Sequence, residues 1–313
     1  MPDELFGNSG TRLVGFISVA PLEGPAGKRR RNMKSVDEQV VLLTGATDGI
    51  GKGTARELAR MGATVLLHGR SQKKLDAVRQ EIAAEPANAH LQTYSSDFSS
   101  LADVRRLADQ IVSAHAHLHV LINNAGIGAG ARGRQQRQMS EEGHELRFAV
   151  NHLAPFLLTH RLIPVLRGDG PARVVNVASA AQQEIDFSDI MLESGYSGMR
   201  AYSQSKLAMV MATFEFARRL AGGLIAVNCL HPGSLLDTKM VRESFGQPQG
   251  EVEEGIRAEI FVATAPEIEG ISGEYFDRTQ RARAHAQAYD ARARQRLWQV
   301  SEEWTGISSG FLK

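Results

Sequence analysis

"QVVLLTGATDGIG", residues 39–51, runs from an aliphatic stretch straight into a glycine-rich turn, and its reading decides the fold. The glycines at 45, 49 and 51 are spaced G-x-x-x-G-x-G, and "KGTARELARMG" follows with helical spacing of its apolar residues. A buried strand, a tight loop and a helix in direct succession are what a dinucleotide-binding loop requires. Glycine lets main chain approach a pyrophosphate closely, and the helix N-terminus behind the loop favours negative charge. Gly45, Thr47, Asp48, Gly49, Ile50 and Gly51 are therefore candidate cofactor contacts. The glycine pattern without its flanks would fit a purely structural turn equally well.

Outward from this stretch the same alternation continues. Apolar runs recur at "TVLLHGR" (64–70), "HVLINNAG" (119–126), "ARVVNVAS" (172–179) and "LIAVNCLHPG" (224–233), with a more polar one, "HLQTYSSD", at 90–97. Near-continuous Val, Ile and Leu suit strands covered on both faces, as in a parallel sheet. Helix-like segments such as "SQKKLDAVRQEIAAE" and "SLADVRRLADQIVSA" lie between them. The expected fold class is α/β, a Rossmann-type doubly wound parallel sheet forming a single domain with a C-terminal helical extension. The domain spans 37–280. Residues 281–313 read as an Arg- and Ala-rich helix docked on the domain, and 1–36 as a disordered tail, with Met33 a second candidate start.

Composition narrows the function. The chain has 313 residues, 42% hydrophobic and 23% charged, with a net charge of +1. Nothing global points to nucleic acid, and no apolar run approaches the roughly 20 residues that span a bilayer. The tail begins acidic and places "KRRR" after its apolar patch, the reverse of a secretory signal. A single cysteine, Cys229, excludes an intrachain disulfide framework and suits a reducing cytoplasm.

The second run selects the cofactor. It ends in "HGR", with Arg70 lying 19 residues beyond Gly51. An acidic residue there would hold the ribose 2′-hydroxyl of NAD, whereas arginine suits the 2′-phosphate of NADP. NADP(H) is expected over NAD(H). Asp48 counts against this, because a second cation at its position would have helped.

Later in the chain, "YSQSK" places Tyr202 and Lys206 four residues apart, on one helical face. With "TGATDGIG", "NNAG" (123–126), Asn151 in "FAVNHLAPF", Ser179 in "VVNVASA" and "HPG" (231–233), the sequence over residues 38–280 resembles the short-chain dehydrogenase/reductase family. The branch it resembles is the one of retinol dehydrogenases and carbonyl reductases, with bacterial daunorubicin-ketoreductase-type proteins the nearest in look. The resemblance implies that Tyr202 gives its proton to a substrate carbonyl while NAD(P)H gives hydride to the carbon. It implies that Lys206 holds the nicotinamide ribose, Ser179 orients the carbonyl, and Asn151 holds a water linking Lys206 to solvent. It further implies cofactor contacts at Asp97 and Phe98 near the adenine, at Asn124, Ala125 and Gly126, and at Pro232, Gly233 and Thr238 near the nicotinamide. A free phenol has a pKa of about 10, and a neighbouring ammonium is expected to lower it toward working pH.

Departures from the family are informative. Ser179 and Tyr202 are 23 residues apart, where compact members have about a dozen, and the extra "AQQEIDFSDIMLESGYSGMR" is expected to wall the substrate site. Ile185, Phe187, Ile190 and Met191 within it face either substrate or core. The stretch after "HPG" is one residue long for a threonine at 238 to reach the carboxamide. "HAHLH" (115–119) shows no further ligand cluster, so no metal is expected. The reading is an NADPH-dependent reductase of ketones or aldehydes, or the reverse reaction. The alternatives are a non-catalytic NADP(H)-binding regulatory protein, or an epimerase or dehydratase on the same fold. The expected partner is a small carbonyl or alcohol substrate, with a homodimer or homotetramer possible through paired helices.

Overall fold

The computed structural model describes residues 32–308 except 86–89, 132–135, 169 and 245. Most of the expected tail, residues 1–31, lies outside the described residues. Seven parallel strands and one antiparallel edge strand form a single sheet in the order β3-β2-β1-β4-β5-β6-β7-β8. The chain runs through β1 (Val40–Leu43), α1 (Gly49–Arg60), β2 (Thr64–Gly69), α2 (Gln72–Ala83), β3 (His90–Ser95), α3 (Leu101–Ala114) and β4 (Val120–Asn123). It continues through α4 (Leu146–Phe148), a π-helical turn (Ala149–Leu153), α5 (Ala154–Leu166), β5 (Ala172–Val177), α6 (Gly198–Arg219) and β6 (Ile225–His231). The last elements are α7 (Lys239–Ser244), α8 (Val252–Thr264), β7 (Tyr275–Asp277), β8 (Gln280–Ala282) and α9 (Ala291–Thr305).

The strand order reverses between β1 and β4, which pair in parallel with Leu43 opposite Ile122. At such a switch point the loops leaving the two strands diverge and open a crevice beyond their carboxyl ends. Both faces of the sheet are covered, so β1, β4 and β5 are almost wholly buried, as their unbroken aliphatic runs require. One core holds Leu42, Leu121 and Val174 against α3, α5 and α6. The other holds Val41, Val120, Val175 and Val177 against α1, α2 and α8.

The C-terminal segment begins with a strand instead of a helix: β8 pairs antiparallel with β7 and closes the sheet edge. Beyond it α9 docks where expected. Trp298 is 2% exposed, wedged edge-on against Phe156 of α5 and Phe216 of α6, with the Arg219 guanidinium 4.2 Å above its ring. His152 in the π-turn meets Ser301 Oγ at 2.7 Å. α9 thereby clamps together the two helices that carry Asn151 and Tyr202. Among the described residues no helix is long and apolar enough to cross a membrane.

Candidate active site

The glycine loop is held by main-chain and cap hydrogen bonds. Gly45 and Gly49 have φ of 72° and 52°, in the left-handed region that glycine adopts without strain. Gly51 is needed for a different reason: a Cβ there would lie 2.3 Å from Gly45 O and 2.4 Å from Asn124 Nδ2. Asn124 ties the β1 and β4 loops together by donating to Thr44 O at 2.9 Å, and Ala125 N donates to Thr44 Oγ1 at 3.0 Å. Asp48 is the N-cap of α1, its carboxylate accepting from Gly49 N at 2.8 Å. That explains an acid in an anion site: it satisfies one of the orphan donors at the helix start. Ile50 packs its side chain on α8, where Gly255 admits it.

At the end of β2, a Cβ on Gly69 would lie 2.8 Å from Thr47 Cγ2, so glycine there lets the first loop close over the second strand. Arg70 follows, exposed, and its guanidinium makes no ion pair among the described residues. Asp97 accepts from Ser99 N at 2.9 Å, whereas Phe98 turns inward and stacks on buried His68 with ring centroids 4.5 Å apart. Phe98 can therefore offer a cofactor only its main chain.

The four candidate catalytic residues converge. Tyr202 and Lys206 lie on the first turns of α6, and Ser179 just past β5; all three are nearly buried. The Ser179 side chain favours the ionised form of the Tyr202 phenol. Lys206 Nζ donates to Val177 O at 2.7 Å and sits 5.9 Å from the centre of the Tyr202 ring. Burial raises the Tyr202 pKa, with only the Ser179 hydrogen bond opposing it. The expected lowering by lysine is not found: desolvation penalises the phenolate, and Ser179 alone acts the other way. Lys206 is itself lowered to about 8 by burial, partly offset by the charge of Glu259.

Asn151 is fully buried, and its side chain is spent on structure. Oδ1 accepts from Ile127 N at 2.9 Å, while Nδ2 donates to Ile127 O at 3.0 Å and Ser205 Oγ at 2.9 Å. The helix widens here, with Ala154 N reaching back to Ala149 O. A widened turn of this kind shifts the hydrogen-bond ladder by one residue and frees a main-chain carbonyl, often at a functional site. Gly126 completes this corner, since a Cβ on it would lie 3.1 Å from Asn151 Oδ1 and 3.5 Å from Lys206 Nζ.

On the far side Gly233 follows Pro232 with φ of 138°, and a Cβ on it would lie 3.0 Å from Glu254 Oε2. Thr238 is brought against the glycine loop, its Cγ2 3.3 Å from where a Cβ of Gly49 would stand. Within the inserted segment Ile185 and Ile190 belong to the core, and Phe187 and Met191 are partly buried against it. The "HAHLH" histidines serve the fold: His115 meets Tyr94 OH at 2.9 Å, and His119 Nδ1 accepts from Val40 N at 3.0 Å. No group of three potential metal ligands occurs among the described residues.

Sequence reading missed a buried ion pair behind the substrate wall. Arg147 donates to Gly128 O, Ala129 O, Glu145 Oε1 and Tyr196 OH, at 2.9, 2.8, 3.3 and 2.6 Å. It thus joins the loop after β4 to the inserted segment. The only available signal was an arginine among apolar neighbours in "ELRFAV".

Comparison with known proteins agrees with this geometry. The profile of the short chain dehydrogenase family matches residues 39–249. The chain belongs to that family. Human retinol dehydrogenase 13 is 34% identical over 292 residues, covering 88% of this chain and 87% of its own. An uncharacterized protein from Mycobacterium paratuberculosis has a solved structure 31% identical, with a TM-score of 0.72 and coverage of 88% of this chain and 96% of its own. A short chain dehydrogenase from Escherichia coli CFT073, solved in complex with NADPH, is 27% identical with a TM-score of 0.63, covering 77% and 96%. The protein is accordingly an oxidoreductase of the retinol-dehydrogenase-like branch that uses a nicotinamide cofactor for carbonyl–alcohol chemistry.

Proposed function

We propose that the protein is an NADP(H)-preferring reductase of a ketone or aldehyde, working through Tyr202, Ser179, Lys206 and Asn151. The observation that carries this reading is the burial together of Ser179, Tyr202 and Lys206, with Lys206 Nζ 5.9 Å from the Tyr202 ring centre and anchored on Val177 O. When bound, the cofactor supplies or accepts the hydride.

The residues of the chain do the rest. The Tyr202 hydroxyl donates to the carbonyl oxygen and releases its proton as negative charge develops there. Ser179 Oγ holds the same oxygen in place. The Lys206 ammonium stabilises the phenolate that Tyr202 becomes. Because the Asn151 side chain is fully bonded, the water expected at this position falls to the main-chain carbonyl that the π-turn frees. Arg70 would hold the 2′-phosphate, with Gly69 leaving room. Buried, free Cys229 suits a cytoplasmic setting.

Oxidation of NADPH in the presence of aldehydes, aromatic ketones and larger apolar ketones tests the proposal, followed by loss of the nicotinamide absorbance. Turnover of at least one class, faster with NADPH than with NADH, is expected. Tight NADPH binding with no turnover across the panel would favour a cofactor-binding regulatory protein.

A further inference from the structure

Two stretches of chain start at the catalytic cluster. One is the inserted segment, which leaves Ser179 and ends where α6 brings in Tyr202. The other is the loop after β4, which passes Gly126 beside Lys206 Nζ. Neither residues 180–197 nor 124–131 contain a strand or helix, so their main-chain groups need partners from elsewhere. In the loop, Asn151 holds both polar groups of Ile127, and the Arg147 fork takes the next two carbonyls, of Gly128 and Ala129. In the inserted segment, Gln204 Nε2 donates to Ile190 O at 2.8 Å and Arg137 Nε to Met191 O at 2.9 Å.

The inserted segment is also bent against its own preference. Leu192 is buried with φ of 50°, a left-handed conformation that a bulky side chain rarely adopts. Such a residue persists only where its surroundings over-determine it. Asp189 holds one side of the bend. Its main-chain O accepts from Leu192 N at 3.0 Å, and its carboxylate accepts from Glu193 N at 2.7 Å and Ser194 N at 3.0 Å. Tyr196 holds the other side, directly before the Ser197 cap of α6.

At Tyr196 the two stretches are joined. Its hydroxyl accepts from Arg147 Nη1 and donates to Glu145 Oε1 at 3.1 Å. Burial and the Glu145 charge push this phenol up to about 12, so it stays a donor. Glu145 is fixed in turn, accepting from Phe148 N at 2.8 Å, while its own N lies 3.0 Å from Met191 Sδ. A buried ion pair such as Arg147–Glu145 adds little net stability, because desolvation offsets its attraction. What it supplies here is direction: a planar fork whose Nε, Nη1 and Nη2 each have a set acceptor.

We propose that Arg147, Glu145 and Tyr196 form a specificity latch, which holds the inserted segment at a fixed distance from the loop after β4 and so sets how bulky an apolar carbonyl substituent binds between them. This rests on the reading of Ser179, Tyr202 and Lys206 as the reaction centre. The apolar class follows from Ile127 and Met191, which stand at the latched positions, partly buried on the core. The three are positioning residues, acting through the two walls. A short carbonyl compound is held by the reaction centre itself, and only a larger one extends to the latched part.

Tyr196→Phe removes only the hydroxyl and leaves the Arg147–Glu145 pair in place. For the bulkiest apolar ketone that the wild type reduces, KM should rise about ten-fold with kcat within about two-fold, the scale of one lost charge-assisted hydrogen bond. For the shortest aldehyde it reduces, both constants should stay within about two-fold, as should NADPH affinity. Hydrogen exchange in the protein without cofactor should quicken at the Glu193 and Ser194 amides and not in α1. Arg147→Lys keeps the charge but cannot reach both carbonyls and the phenol at once. It should show the same size-dependent loss, and it serves if the phenylalanine variant does not fold. Equal losses for the large and the small substrate would overturn the proposal, as would an unchanged KM for the large one. Turnover surviving in Tyr202→Phe would instead overturn the reading beneath it.

Discussion

The two halves of the sheet recognise their ligands by different means. From β1 to β4 the site is made of main chain: glycines at 45, 49 and 51, the Asp48 cap, and Asn124 stitching two loops. From β5 onward it is made of buried side chains, Ser179, Tyr202 and Lys206, with Asn151 beside them. In the proposed reading the first half holds a fixed anion and needs rigid donors, whereas the second moves a proton. Changes in the first half should therefore alter binding at any pH, and changes in the second should alter rate in a pH-dependent way.

The most damaging substitution in the first half should be Gly51→Ala, which drives a Cβ into a main-chain carbonyl at 2.3 Å. A loss of at least about 3 kcal/mol of stability, by urea denaturation, and of measurable NADPH binding is expected. Gly170→Ala, where a Cβ meets nothing within 4 Å, should change stability by less than about 0.5 kcal/mol and is the control. Arg70→Ala is the milder test, acting on one phosphate. It should weaken NADPH binding by about 10- to 100-fold and NADH binding hardly at all, by fluorescence titration. Equal losses would remove the cofactor preference from the comparison.

His68 ties the halves to a stability effect. Burial lowers its pKa from 6.5 to about 4. The unfolded chain takes up a proton below pH 6.5 that the folded one refuses until about pH 4, so stability falls across that window. The loss is roughly 3 kcal/mol at most from this residue. His152, lowered to about 3, adds in the same direction. His68→Gln should flatten the dependence of the unfolding midpoint on pH between these values, and an unaltered slope would show that His68 is not its source.

The first half was the more legible in sequence, for the same physical reason. Strands covered on both faces appear as aliphatic runs, and loops that need φ above zero appear as glycines, so β1, the loop and α1 stood where "QVVLLTGATDGIG" places them. In the second half, Tyr202, Ser179 and Lys206 were legible as types and spacing, but their ionisation was not. Burial decides whether lysine or desolvation controls the phenol, and spacing carries no burial. The π-turn has no local signal either, being held by Asn151 bonding to Ile127 and Ser205 across the fold. β8 is three residues at a polar edge, too short to show any period.

The most direct test of the whole account is Tyr202→Phe, measured for NADPH affinity and for turnover of the best carbonyl substrate in the same preparation. The account predicts affinity within about two-fold of wild type and a rate lower by about 10²- to 10⁴-fold, the usual contribution of a positioned proton donor. A variant that binds NADPH and turns over at the wild-type rate would contradict it, and the proton would have to come from another group.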